Sequence, residues 1–89
     1  MKEKELERAL KAVANKRRLV IIRLIKKKFE LPVGEIARSI KLSYRSTSKH
    51  LSVLSGADIL EKEQRSLQMF YKINKEIPNP IRQIISLLC

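Results

Sequence analysis

Residues Val33–Gly56 read VGEIARSIKLSYRSTSKHLSVLSG, and their pattern decides the fold. Val33–Ile40 places Ile36, Ala37 and Ile40 on one face of a short helix. Lys41-Leu42 interrupts that helix, and Ser43 offers an oxygen to the free N–H groups opening the next one, Tyr44–Ser55. Gly56 marks the end of this second helix, because glycine readily takes the left-handed conformation that closes helices. Two short helices joined by so brief a turn read as a helix-turn-helix unit.

The second helix of the pair has two unlike faces. At about 100° per residue, Tyr44, Thr47, Leu51 and Leu54 fall together and are expected to pack on a core. Arg45, Ser48, Lys49 and Ser52 fall on the opposite side, and no Asp or Glu occurs from Ile36 to Ala57. A helix entering the major groove of DNA needs this chemistry. Arginine takes guanine O6 and N7 together, serine bonds bases or phosphates, and a carboxylate would be repelled. The plainer alternative is a solvated surface helix, which usually mixes both charge signs. Ser43 and Ser46 join the candidate contacts from the first turn. His50 lies on the flank, where it reads either as a phosphate or base contact or as a polar residue bonded to the backbone.

Downstream, Ile59–Gln64 and Leu67–Ile73 predict two strands of a hairpin. Lys62 and Arg65 are its candidate DNA contacts, beside Glu61 and Glu63, and a solvated hairpin is the alternative. Gln64-Arg65-Ser66 lacks glycine, so a loose tip is expected rather than a tight two-residue turn. Phe70 and Tyr71 are adjacent on one strand and must face opposite sides of the sheet. Pro78 and Pro80 lead into a last helix in which Ile81, Ile84, Ile85 and Leu88 share a face.

Upstream, Glu3–Ala14 is a one-faced amphipathic helix with Leu6, Ala9, Leu10 and Val13 in line. Asn15 is placed to cap the next helix, Lys16–Lys28, which is apolar on much of its circumference and belongs at the centre of the fold. Lys16-Arg17-Arg18 opens that helix against its dipole, which favours a phosphate contact, with Arg18 the candidate; a structural ion pair is the alternative for it. Pro32 breaks the pattern that follows.

The whole is then one α+β domain, residues 1–89, mainly helical, in the order α-α-α-α-β-β-α: a winged helix-turn-helix. Leu6, Leu10 and Val13 on the first helix and Ile81, Ile84, Ile85 and Leu88 on the last make two apolar stripes. So small a core cannot easily cover both, so these residues are the expected homodimer interface.

Composition agrees. The 89 residues carry 20 Lys and Arg against nine Asp and Glu, a net charge of +11, which points to an anionic partner and to nucleic acid before membrane. No apolar run is long enough to span a bilayer, and the charged N-terminus is not that of a signal peptide. The single cysteine, Cys89, cannot close an intrachain disulfide, which fits a reducing compartment. With one histidine and no paired carboxylates, phosphate loop or nucleophile–base set, the chain does not read as an enzyme, and no cofactor is expected. His50 and Cys89 cannot fill a tetrahedral metal site within one chain.

Taken with their order and spacing, these motifs resemble the ArsR-type winged-helix repressors over Leu10–Ile73. LKAVANKRRLVIIRLI (Leu10–Ile25) looks like that family's opening, with Asn15 where Asp or Asn is usual and Arg18-Leu19 in place. ELPVGEIARSIKLSYRSTSKHLSVL (Glu30–Leu54) is similar to its turn and recognition helix, through Leu42-Ser43, Ser48 and His50-Leu51. ILEKEQRSLQMFYKI (Ile59–Ile73) is similar to its wing. Metal-sensing members carry Cys-Val-Cys where this chain has Pro32-Val33-Gly34, or Asp, His and Glu in a last helix that here, over Ile77–Cys89, has none. Asp58 stands where the family often has glycine. The resemblance implies a homodimer built from the first and last helices and cytoplasmic control of transcription.

The function expected from the sequence is sequence-specific binding of double-stranded DNA by a homodimeric repressor that does not respond to metals. The alternative is an architectural or chromatin protein that coats DNA with low sequence specificity. A winged helix used only for protein contact is disfavoured by the acid-free face.

Overall fold

Asn15 and Ser43 set the frame. In the computed structural model, which describes residues 2–88, the Asn15 side chain accepts from the Arg18 N–H and the Ser43 hydroxyl from the Ser46 N–H. Each satisfies an amide that opens a helix. The elements run α1 (Glu3–Val13), α2 (Lys16–Lys28), β1 (Glu30–Pro32), α3 (Val33–Ile40), α4 (Tyr44–Gly56), β2 (Leu60–Arg65), β3 (Gln68–Ile73) and α5 (Asn79–Ser86). Cys89 lies outside the described residues.

α2 is the axle. Its Ile21, Ile22 and Ile25 are fully enclosed, with Ile36 of α3, Leu51 and Leu54 of α4, and Ile81 of α5 in the same cluster. α1 contributes Ala9, Ala12 and Val13.

Four expectations need correction. A third strand, β1, lies where Pro32 read as a simple break. It pairs antiparallel with β3 (Leu31 opposite Tyr71, Pro32 opposite Phe70), giving the sheet order β1-β3-β2. Proline is tolerated there because β1 is an edge. The hairpin tip is tight, not loose: Arg65 pairs with Gln68, leaving Ser66 and Leu67 to turn the chain. Only Ser66 has positive φ, at 56°, so the turn needs one left-handed residue and no glycine.

Gly56 does not close α4 in the left-handed state. Helix geometry runs through it, and Asp58, with φ 60°, takes that role. The Asp58 N–H then donates to Ser55 O (3.0 Å) and the Ile59 N–H to Leu54 O (3.0 Å), a pair of bonds that satisfies the last carbonyls. The same device, with Lys41 left-handed, ends α3. Aspartate bears this conformation better than most residues, which accounts for its standing in a glycine's place.

The fourth correction concerns the expected dimer residues. Val13, Ile81 and Ile85 are buried inside the single chain, because α1 and α5 both turn these positions onto α2. Leu6, Ile84 and Leu88 are half-buried against the core and Leu10 is exposed. Leu87, which the i, i+3, i+4 pattern passed over, is 78% exposed.

Among the described residues Thr47 is the one buried polar residue in the core, and its hydroxyl has no hydrogen-bond partner there. A buried, unsatisfied hydroxyl costs about 1–3 kcal/mol. Thr47→Val keeps the shape and removes the oxygen, so the variant is expected to be more stable by about 1 kcal/mol. Urea unfolding with an unchanged m-value reads this directly. A lower midpoint would show that the hydroxyl finds a partner in solution.

Candidate nucleic-acid interface

α3 and its closing turn hold α4 so that Thr47, Leu51 and Leu54 face inward. The opposite side is then left to solvent. Arg45, Lys49 and Ser52 are exposed there, Ser46 and Ser48 are partly exposed, and Ser43 is exposed at the cap. None of the salt bridges among the described residues involves Arg45 or Lys49. The face is cationic, hydroxyl-rich and uncompensated.

Tyr44 departs from expectation. Helical spacing assigned it to the core face, yet it is 62% exposed, because the first turn of α4 projects beyond the core. Its phenol therefore joins the surface next to Arg45. The sequence signal for this was position alone: Tyr44 is the first residue after the cap.

The other expected contacts are not all brought to this face. Arg18 is turned back onto the protein. Its Nε donates to Ala12 O (2.6 Å) and its Nη2 to Lys11 O (3.3 Å), where α1 ends, and its Nη1 lies 3.2 Å from His50 Nδ1. One guanidinium thereby ties the end of α1 to the middle of α4. Burial, together with the charges of Arg18 and Arg17, holds the His50 imidazole below its ordinary pKa, so the ring is neutral at pH 7. With Nδ1 accepting from Arg18, the proton sits on Nε2.

Arg65 is engaged as fully. Its guanidinium bonds both carboxylate oxygens of Glu30 on β1 and, at 3.0 Å, the carboxylate of Glu63, while lying 4.5 Å from the centre of the Phe70 ring. These bonds raise the Arg65 pKa further and lower those of Glu30 and Glu63. The clamp fastens the hairpin to the edge strand. Lys62 alone of the two wing cations stays exposed without an ion pair among the described residues. The tip itself presents Leu67, 95% exposed, which charge-based reading overlooks.

Among the described residues no helix is long and apolar enough to cross a membrane.

No family model matches the chain. The transcriptional activator HlyU of Vibrio cholerae is 32% identical over 81 residues, spanning 90% of this chain and 74% of that protein. The solved structure of HlyU from Vibrio cholerae superposes with a TM-score of 0.81 at 29% identity, covering 99% of this chain and 94% of that one. The transcriptional repressor PagR of Bacillus anthracis gives 0.80 at 29% identity, with 97% and 94% covered. The homodimeric winged helix-turn-helix DNA-binding domain Mb0332 of Mycobacterium bovis, described as "a possible ArsR-family transcriptional regulator", gives 0.81 at 25% identity, with 94% and 74% covered. Element order, the exposed cationic α4 and similarity along nine-tenths of the sequence coincide: the chain belongs to the ArsR family of winged-helix transcriptional regulators.

Proposed function

We propose that the protein is a sequence-specific repressor that binds duplex DNA as a homodimer and acts by obstructing a promoter. The observation that carries this reading is the acid-free outer face of α4, where Arg45 and Lys49 stand exposed among serines, with no ion pair among the described residues. Arg45, in the first turn, is placed to reach base edges, with Tyr44 beside it; Lys49 and the serines reach bases or phosphates one turn on. His50 donates from Nε2 to a phosphate. Lys62 serves the wing. Arg18 and Arg65 are scaffold residues in this scheme, because three donors of each are turned onto groups inside the chain.

Selection of bound sequences from a random duplex library tests the proposal. A regulator should enrich a two-fold symmetric site and prefer it over random duplex by about 10³ or more. Enrichment of nothing, with tight binding throughout, would favour the architectural alternative that a net charge of +11 also allows. A reporter driven by the selected site should then fall when the protein is expressed; a rise would make it an activator.

The wing gives a second expected result. Arg65→Ala should leave the slope of log affinity against log salt unchanged, since no phosphate contact is lost. A slope smaller by about one unit per protomer would restore Arg65 to the interface. Its effect should appear in stability and depend on pH. Carboxyls held below their ordinary 4.5 stabilise the fold above that value, and lose this contribution as pH falls through the lowered ones. Wild type should therefore be more stable than Arg65→Ala in urea at pH 7, and the gap should narrow as the pH is taken below 4.5.

Independence from transition metals rests on Pro32-Val33-Gly34 and on the residue types of α5. Zinc titrated into the dimer should leave DNA affinity unchanged. Stoichiometric, tight binding that releases DNA would refute this part of the proposal.

A further inference from the structure

Behind the hairpin, α2, α5 and the end of β3 border a half-open cavity of about 270 Å³ that shares no residue with α4. Its floor is apolar: Ile25, Ile77 and Ile85 are buried there, beside Ile73. The ring of Phe29, 69% exposed, stands over one side. Lys26, Lys72, Arg82 and Ser86 complete the lining, and no Asp or Glu side chain takes part.

Two of these cations are positioned by neutral groups. Lys26 Nζ donates to Ile85 O (3.1 Å) and Leu88 O (2.7 Å). Arg82 Nη2 donates to Lys75 O (2.8 Å) and Ile77 O (3.3 Å). Neither is in an ion pair among the described residues, whereas Lys72 lies 3.6 Å from Glu61. An ammonium has three N–H donors and a guanidinium five, so both keep donors to give. Phe29 adds a second observation. It ends α2 with φ 75° and ψ −56°, a backbone state that bulky residues rarely take, and it does so with its ring in water. Strain of this kind persists where the surroundings enforce it, and here it sets an aromatic wall over an apolar floor.

We propose that this cavity is a ligand site for a small amphiphilic carboxylate. The alkyl or aryl part lies on Ile25, Ile73 and Ile77 beside Phe29, and the carboxylate faces Lys26 and Arg82. An inorganic anion would leave the apolar floor unused, and a cationic amphiphile would meet two positive charges that have no ion-pair partner among the described residues. The volume is at the small end for ligand pockets, which limits the occupant to roughly ten non-hydrogen atoms.

Octanoate, octanol, octylamine and acetate, titrated below micellar concentrations into the DNA-free protein, test the site by calorimetry and by amide chemical shifts. Octanoate should bind once per protomer, at least tenfold more tightly than the other three. The shifted amides should be those of α2's last turn, Phe29, the end of β3 and the 75–86 segment. Arg82→Gln, at an exposed position, should weaken octanoate about tenfold, as loss of a bond to a charged group does, and leave octanol unchanged. The proposal is overturned if octanol or octylamine binds as well as octanoate, if no carboxylate binds, or if the shifts map to α4. The three aliphatic controls keep the test decisive should Arg82→Gln lose stability. None of these outcomes touches the DNA-selection experiment, so the two proposals fail separately.

Discussion

Arg45→Ala is expected to weaken binding to the selected duplex by about 1–3 kcal/mol per half-site, roughly fivefold to more than a hundredfold for each, while affinity for random duplex changes little. The reason is positional. Arg45 occupies the turn of α4 that follows the Ser43 cap, and its guanidinium has no partner among the described residues, unlike those of Arg18 and Arg65. Five donors in a planar fork match the two acceptors on the guanine edge, and nothing else on that face presents such a pair. Titrations on the selected and random duplexes over a salt series separate base reading from charge. Equal losses on both would make Arg45 a phosphate contact, and the reader of sequence would have to be sought at Lys49 or at the wing tip.

The second large effect is expected at the dimer. Leu10 and Leu87 are exposed on the single chain, at 41% and 78%, so Leu10→Glu with Leu87→Glu should leave each protomer folded. At an interface between two copies the same changes would bury four unpaired carboxylates. Sedimentation should show dimers for wild type at micromolar concentration and monomers for the double variant, with unchanged far-ultraviolet circular dichroism. Binding to a two-half-site duplex should then fall by a factor on the order of 10³, since the second half-site no longer meets a tethered partner at millimolar effective concentration. A wild type that sediments as a monomer would end the proposal of a dimer. Ile84 and Leu88, half-buried against the core, are poorer places for this test because their replacement also attacks the fold.

What the sequence made legible divides along physical lines. The starts of α2 and α4 were readable because Asn15 and Ser43 act on amides three residues away, and local chemistry leaves a local mark. β1 was not, since three residues including a proline carry no periodicity and exist as a strand only through Phe70, Tyr71 and Lys72. The stripes on α1 and α5 were correctly seen as apolar. Periodicity says that a face is covered, though, and not whether the chain itself or a second copy covers it; Val13, Ile81 and Ile85 proved to be interior. Arg18 and Arg65 show the same limit for charge. Each looked like a free cation because its partner is far off in sequence: His50 is 32 residues from Arg18, and Glu30 is 35 from Arg65. The exposed outer face of α4 was the most legible part of the candidate site, since a helix shows its two sides in its own spacing. Tyr44 escaped because exposure in a first turn depends on where the core stops.

The bond network of Arg18 has a consequence for how a genome is searched. By fastening the end of α1 to His50 in α4, it makes the helix proposed to pair the protomers and the helix proposed to read DNA parts of one rigid jaw. Two such jaws, joined through α1 and α5 as proposed, would form a caliper with a fixed gap. Inserting one base pair between two perfect half-sites moves them about 3.4 Å apart and turns one about 34° around the duplex. A caliper that cannot open must let go of one half. Chance genomic matches at the wrong separation are then rejected, however good each half is, and Arg18→Ala should loosen that tolerance before it loosens affinity.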